Sequence, residues 1–219
     1  MTNTIQQASG TPRGIVLHSA HFYDFLVRLV TLGREAALRE KMIDLGRLKP
    51  GETVLDVGCG TGTLAIAAKR RVGASGEVHG IDASPEMIAG AGRKTRKAGL
   101  AVEFRNASIE ALPLQDGQID VVLSTLMLHH LPRQVRENGL REIRRVLKPG
   151  GRVLIVDFGQ SERPKGLIGH LHHGHGHVAP AQVAALLNSS GLNVIESGPV
   201  GFRDAHFALA VSPAATDEK

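Results

Sequence analysis

A chain of 219 residues, 42% hydrophobic and 21% charged, is long enough for one well-cored domain plus an extension and too short for two full domains. Its net charge of +5, with no long basic stripe interleaved with aromatics, argues against a nucleic-acid partner. A single cysteine, Cys59, excludes an internal disulfide framework, and no run reaches the roughly 18 apolar residues that cross a bilayer.

The polar start "MTNTIQQASGTPRG" has no apolar signal core, so a cytoplasmic protein is expected. Residues 1–14 read as disordered. Residues 15–48 carry apolar side chains at helical spacing (Phe22, Phe25, Leu26, Leu29, Leu32, Ala36), which predicts a helical lid of one or two helices broken near Gly33. Its basic residues are interleaved with Glu35 and Glu40, which favours a solvated lid over a membrane-surface helix. Lys49-Pro50-Gly51 ends this extension, and a domain over 49–213 follows, with 214–219 frayed.

From Thr53 onward strand-like and helix-like runs alternate, the pattern of a parallel sheet with crossover helices. The strands are "TVLDV", "EVHGID", "AVEFRN", "IDVVLS" and "GRVLIVDF", then "LNVIES" and "AHFALAVS" near the end. The helices are "TLAIAAKRR", "SPEMIAGAGRKTRKA", "PRQVRENGLREIRRVL" and "PAQVAALLNSS". The first four strands are short and rich in Val and Ile, as expected of strands buried on both faces.

The most informative stretch is "VLDVGCGTG". A buried strand runs through Asp56 and Val57 into a turn with glycines at 58, 60 and 62, where the backbone can turn sharply and approach a ligand. A tight strand-to-helix connection needs glycine anyway, so the loop gains meaning from its neighbours. The dinucleotide fingerprint would require glycine where Thr63 stands. Asp56, two positions before the first glycine, is aimed at a ligand's amino or hydroxyl groups, and Asp82 ends the next strand, where a carboxylate accepts hydrogen bonds from both ribose hydroxyls. The plain alternative for Asp82 is a cap on the helix starting in "SPEM".

These motifs, with "GIDASPEMI", "IEALPLQDGQIDVVLS", "LMLHHL" and "RRVLKPGGRVLIVDF", resemble in their order the Rossmann-like S-adenosylmethionine-dependent methyltransferases of the small-molecule type that includes quinone-biosynthesis enzymes. The resemblance runs from about Lys49 to Phe158 and more weakly to Val211. It implies an α/β fold with a seven-stranded, mostly parallel sheet, helices on both faces and an N-terminal helical extension. It also implies S-adenosyl-L-methionine as cofactor, a small-molecule acceptor and a monomer or homodimer. Asp56, Gly58 and Gly60, with Cys59 in the same loop, would surround the methionine moiety. Asp82 would hold the ribose, Ala83 and Met87 would flank the adenine, and Ser124 would offer backbone atoms to the cofactor's amino group. Where the family carries an acidic residue for the adenine amine this chain has Ser108, beside the Ile109 amide, with Asn106 as a competing candidate.

Methyl transfer from a sulfonium is an in-line displacement on an activated carbon, so alignment supplies much of the rate and a base is needed only if the acceptor must lose a proton. Candidate catalytic groups are His129 in "LMLHHL", Asp157 at the end of the fifth strand, and Tyr23 in the lid, each with a packing or capping alternative. The segment "GHLHHGHGHV" adds His173 and His175 as acceptor contacts, and no functional metal is assigned to it. A D-P-P-Y-like motif is lacking after the fourth strand, and Cys59 lies in the cofactor loop, which argues against methylation of nucleic-acid bases; a single cysteine argues against arsenite as acceptor. O-, N- and C-methylation stay open, and a non-catalytic protein binding the nucleoside cofactor, or a metal through its histidines, is the rival reading.

Overall fold

Runs of β-branched and aliphatic residues become strands where a sheet can bury them on both sides, and that condition decides the architecture here. The computed structural model describes residues 35–159 and 179–214. Seven strands, β1 (Thr53–Val57), β2 (Glu77–Asp82), β3 (Glu103–Asn106), β4 (Ile119–Thr125), β5 (Leu147–Phe158), β6 (Asn193–Pro199) and β7 (Ala205–Val211), form one sheet of order β3-β2-β1-β4-β5-β7-β6. Pairings from β3 to β5 are parallel, and β7 runs antiparallel to both β5 and β6.

Among the described residues five α-helices accompany the sheet: α1 (Glu35–Leu45), α2 (Thr63–Val72), α3 (Pro85–Lys97), α4 (Arg133–Val146) and α5 (Pro180–Ser189). Strand alternation splits the core into two layers. Leu55, Val57 and Val122 meet Leu140 and Ile143 of α4 and Leu187 of α5. Val54, Val121 and Leu123 meet Met42 and Ile43 of α1 and Leu64 and Ala68 of α2. Thus the described part of the N-terminal extension is packed into the core. Arg152 fastens its end, donating from Nε to the Gly46 carbonyl at 2.8 Å and from Nη1 to Glu52 at 2.9 Å. Arg71 of α2 grips Asp44 at 2.8 Å. Phe22, Tyr23, Phe25, Leu26, Leu29, Leu32 and Gly33 lie outside the described residues.

Two strand expectations change. β3 is not buried on both faces: it is the sheet's edge, and Glu103, Arg105 and Asn106 are exposed because no strand lies beyond them. β5 begins at Leu147, ahead of the expected glycine, and its register with β4 slips between Ile119 and Val121, where Lys148 reaches back to Asp120 at 2.8 Å. Among the described residues no helix is long and apolar enough to cross a membrane.

Candidate active site

The carboxyl ends of the parallel strands β1 to β5 lie at one end of the sheet, and the described candidate residues sit there, on the loops that leave it or, for Met87, in the first turn of α3. After Val57 the chain turns through Gly58 at φ 73° and Gly60 at φ 52°, the left-handed region that side-chain-bearing residues avoid. The loop folds back on β2: the Gly58 and Cys59 amides donate to the Ile81 carbonyl at 2.8 and 3.0 Å. The Gly60 amide donates to Asp82 Oδ2 at 2.9 Å, while Asp82 Oδ1 accepts from the Ser84 amide at 2.9 Å. Asp82 therefore stitches the loop to the neighbouring strand, and the cap of α3 is Ser84, whose Oγ accepts from the Met87 amide at 3.3 Å. Burial first raises the proton affinity of Asp82, and the Ser84 and Gly60 amides oppose it.

Asp56 differs. It is 1% exposed, and its Oδ2 has no hydrogen-bond partner. Burial, then the charge of Asp82, pushes its carboxyl up to about 7, against the Ala65 amide and the charge of Arg39. On the neighbouring strand β4, Ser124 is equally buried and its Oγ is also unpartnered. The orphaned Asp56 Oδ2, at a strand end over a glycine turn, fits a ligand that brings its own donor, whereas the Ser124 side chain, level with Val57, stands on the other face of the sheet. Cys59 is buried beside them, and burial followed by Asp56 and Asp82 raises its thiol, so it is no nucleophile.

The adenine-side candidates are arranged less openly. Met87 is buried in the first turn of α3, and Ala83, just before that helix, is exposed. Ser108 Oγ accepts from the Glu110 amide at 3.2 Å within its own turn, and the Ile109 side chain packs on Gly139 of α4. Asn106 is exposed and donates from Nδ2 to the Asp82 carbonyl at 2.9 Å, so it braces the end of β2.

The acceptor-side candidates His129 and Asp157 are joined. Thr125 pairs with Val156, the Leu126 amide donates to the Val156 carbonyl at 2.7 Å, and the chain then enters a short 3-10 turn, Leu128–His130. That turn brings His129 Nδ1 to 2.5 Å from Asp157 Oδ1 and its amide to 2.9 Å from Oδ2, while the Phe158 amide donates to Oδ1 at 2.8 Å. Asp157 is buried, and it fixes the imidazole with Nε2 as the nitrogen left to meet an acceptor. The His129 ring also lies 5.6 Å edge-on from Phe158 and 3.8 Å from His130, whose proton affinity is lowered by burial and then by His129. The pair lies beside the glycine loop, because a Cβ on Gly58 would stand 2.5 Å from Met127 Cγ.

Sequence reasoning had both members of this pair and missed their bond; the available signal was that both follow the ends of adjacent strands. Arg39, whose charge acts on Asp56, was not among the candidates visible in the sequence. Tyr23, His173 and His175 lie outside the described residues, and among the described residues no cluster of His, Cys, Asp or Glu could hold a metal ion.

A family model described as a methyltransferase domain matches residues 54–151. The demethylmenaquinone methyltransferase of Thermus thermophilus is 38% identical over 147 residues, covering 67% of this chain and 64% of the relative. The 2-phytyl-1,4-naphtoquinone methyltransferase of Nostoc punctiforme is 33% identical over 167 residues, covering 75% of this chain and 69% of the relative. A crystal structure of a SAM-dependent methyltransferase from Aquifex aeolicus superposes with a TM-score of 0.72 at 28% identity, over 89% of this chain and 99% of that one. This chain spans a little under two thirds of the Thermus relative's length.

Proposed function

The chain belongs to the S-adenosylmethionine-dependent methyltransferases, and on that premise we propose that it methylates a reduced, hydroxyl-bearing quinone-type small molecule with His129 as the base. The observation that carries the reading is the His129–Asp157 pair held against the glycine loop. When bound, S-adenosylmethionine supplies a methyl group on a positively charged sulfur, already activated for displacement. Asp56 and the turn at Gly58 to Gly60 hold its amino-acid end. Asp82 takes the ribose, Ala83 and Met87 flank the adenine with the Ser108–Ile109 turn, and Ser124 offers backbone atoms to the amino group.

The remaining chemistry falls to the acceptor. His129 Nε2 accepts the proton of the acceptor's ring hydroxyl, and Asp157 on the opposite nitrogen stabilises the imidazolium that results. The ring anion is nucleophilic at its oxygen and at the adjacent ring carbon, takes up the methyl there with release of S-adenosylhomocysteine, and, where carbon is the nucleophile, loses that carbon's ring proton to recover the aromatic quinol. The acceptor class is supported by the two relatives, whose names give demethylmenaquinone and a phytyl-naphthoquinone as what they methylate.

The test is to incubate the protein with S-adenosylmethionine and a reduced 1,4-naphthoquinol, and follow S-adenosylhomocysteine release and the mass of the product. A methylated ring is expected, and His129→Ala should cut turnover by roughly 10²–10⁴ while leaving cofactor affinity unchanged. Turnover undiminished in that variant removes the base assignment; no methylated product from any quinol removes the acceptor class.

A further inference from the structure

A cation stands above the buried carboxylate on the face of the sheet that α1 covers. Strand residues two apart point the same way, so Asp56 shares its face with Val54, which belongs to one core cluster with Met42 and Ile43 of α1. The helix climbs that face: its end is fixed at Gly46 by Arg152, level with the start of β1, while Lys41 lies against Gly201 in the loop after β6. From Ile43 back to Arg39 is one helical turn, about 6 Å, and from Val54 on to Asp56 is about 7 Å of strand, so Arg39 is carried to the level of Asp56. Arg39 lies on the same stripe as Met42 and Ile43, its side chain is 18% exposed, and it is ion-paired with Glu35 one turn earlier. Its charge is one of those that act on Asp56.

The amino-acid end of the cofactor is a zwitterion and needs acceptors for an ammonium and donors for a carboxylate. Asp56 supplies the acceptor. Four amides of the glycine loop are not available as those donors: Gly58, Cys59, Gly60 and Gly62 are turned inward, to Ile81, Asp82 and Cys59, so the turn shapes the space for the amino-acid end without binding its carboxylate through them. With those four amides engaged, a side chain is called for beside the loop, and a guanidinium offers the planar, two-pronged geometry that a carboxylate fits.

We propose that Arg39 of α1 is the partner of the cofactor's α-carboxylate, with Glu35 holding the guanidinium in place until that carboxylate displaces it. The assignment rests on the cofactor reading above. It makes the helical extension part of the cofactor site, opposite in charge to Asp56 and completing the recognition of both ends of the amino acid.

Calorimetry on the full chain separates the possibilities, using S-adenosylmethionine and its decarboxylated form, which lacks only the carboxylate. Arg39→Ala should weaken S-adenosylmethionine by roughly ten- to a hundredfold and leave the decarboxylated ligand within about twofold. Arg39→Lys should recover part of the loss, and Glu35→Gln should tighten S-adenosylmethionine alone, by removing the competing carboxylate. Thermal melts check that each variant folds, and Arg39→Lys, with Arg39→Gln beside it, serves if the alanine variant does not. Equal weakening of both ligands by loss of the guanidinium, or no weakening, overturns the assignment and leaves the cofactor reading standing. Failure of the unsubstituted protein to bind either ligand removes the cofactor reading itself.

Discussion

Two buried aspartates stand at the carboxyl ends of the two strands that flank β4 and are in opposite states. Asp157 on β5 is surrounded by donors: both its oxygens are engaged, by the His129 ring and amide and the Phe158 amide. Asp56 on β1 is more deeply buried and leaves Oδ2 with nothing. A buried polar atom without a partner costs on the order of 1–3 kcal/mol. The satisfied carboxylate works on its own protein, orienting an imidazole; the unsatisfied one is complete only when something from outside arrives. The site is thus divided between a half organised in advance and a half that a ligand finishes.

The largest effect is expected on the organised half. Asp157→Asn keeps the size of the side chain but removes the charge that selects the His129 tautomer and stabilises its protonated form. Turnover should fall by roughly 10²–10⁴ with the cofactor dissociation constant unchanged. Equal loss in cofactor binding, by calorimetry, would mean that Asp157 holds the fold of the whole edge and not the base.

The ligand-finished half gives a second contrast, read by pH. With Asp56 pushed up to about 7 in the folded chain, against an ordinary 3.8, the folded state keeps a proton that the unfolded chain releases. Stability of the unliganded protein should therefore fall as pH rises through that window, by an amount on the order of 4 kcal/mol in total. Asp56→Asn should flatten this slope, leaving the variant more stable than its parent at pH 8. It should also lose roughly tenfold or more in cofactor affinity, because the ammonium then meets a neutral amide. Melting curves across that range decide it: a variant with the parent's slope would place the titration elsewhere.

These halves were not equally legible in the sequence. The cofactor side was written in one contiguous run, "VLDVGCGTG", because the positive φ angles at Gly58 and Gly60 admit few residues other than glycine and the acidic ends of β1 and β2 follow at fixed offsets. The fold was legible for the same local reason, through alternation of buried runs with helices. His129 and Asp157 were each visible, but their bond was not: it depends on the parallel register that sets Thr125 against Val156 and on a 3-10 turn no residue pattern announced. The exposure of β3 was likewise a property of strand order, since "AVEFRN" does not say that it stands at an edge. Arg39 was hidden because a basic residue among Glu35 and Glu40 reads as a solvated helix face until the helix is placed over Asp56.

The finest test asks whether the two halves are mechanically joined, and a pair of glycines with the same backbone angle provides it. Gly58 and Gly73 both have φ 73°. Alanine at either carries the strain of a positive φ, and at Gly73, where ψ is −165°, that strain is on the order of 1–3 kcal/mol. At Gly73 the added methyl meets nothing within 4 Å, whereas at Gly58 it would stand 2.5 Å from Met127 Cγ and 3.1 Å from its Cβ, two residues before His129. Those atoms sit close to the backbone, so relief requires the 127–129 segment itself to shift. Gly58→Ala should lose about 2–4 kcal/mol by denaturant unfolding and reduce turnover together with cofactor affinity. Gly73→Ala should lose only the strain and keep full turnover. If Gly58→Ala weakens cofactor binding while turnover at saturation is untouched, the loop and the base are neighbours that do not lean on each other, and the division between the halves is complete.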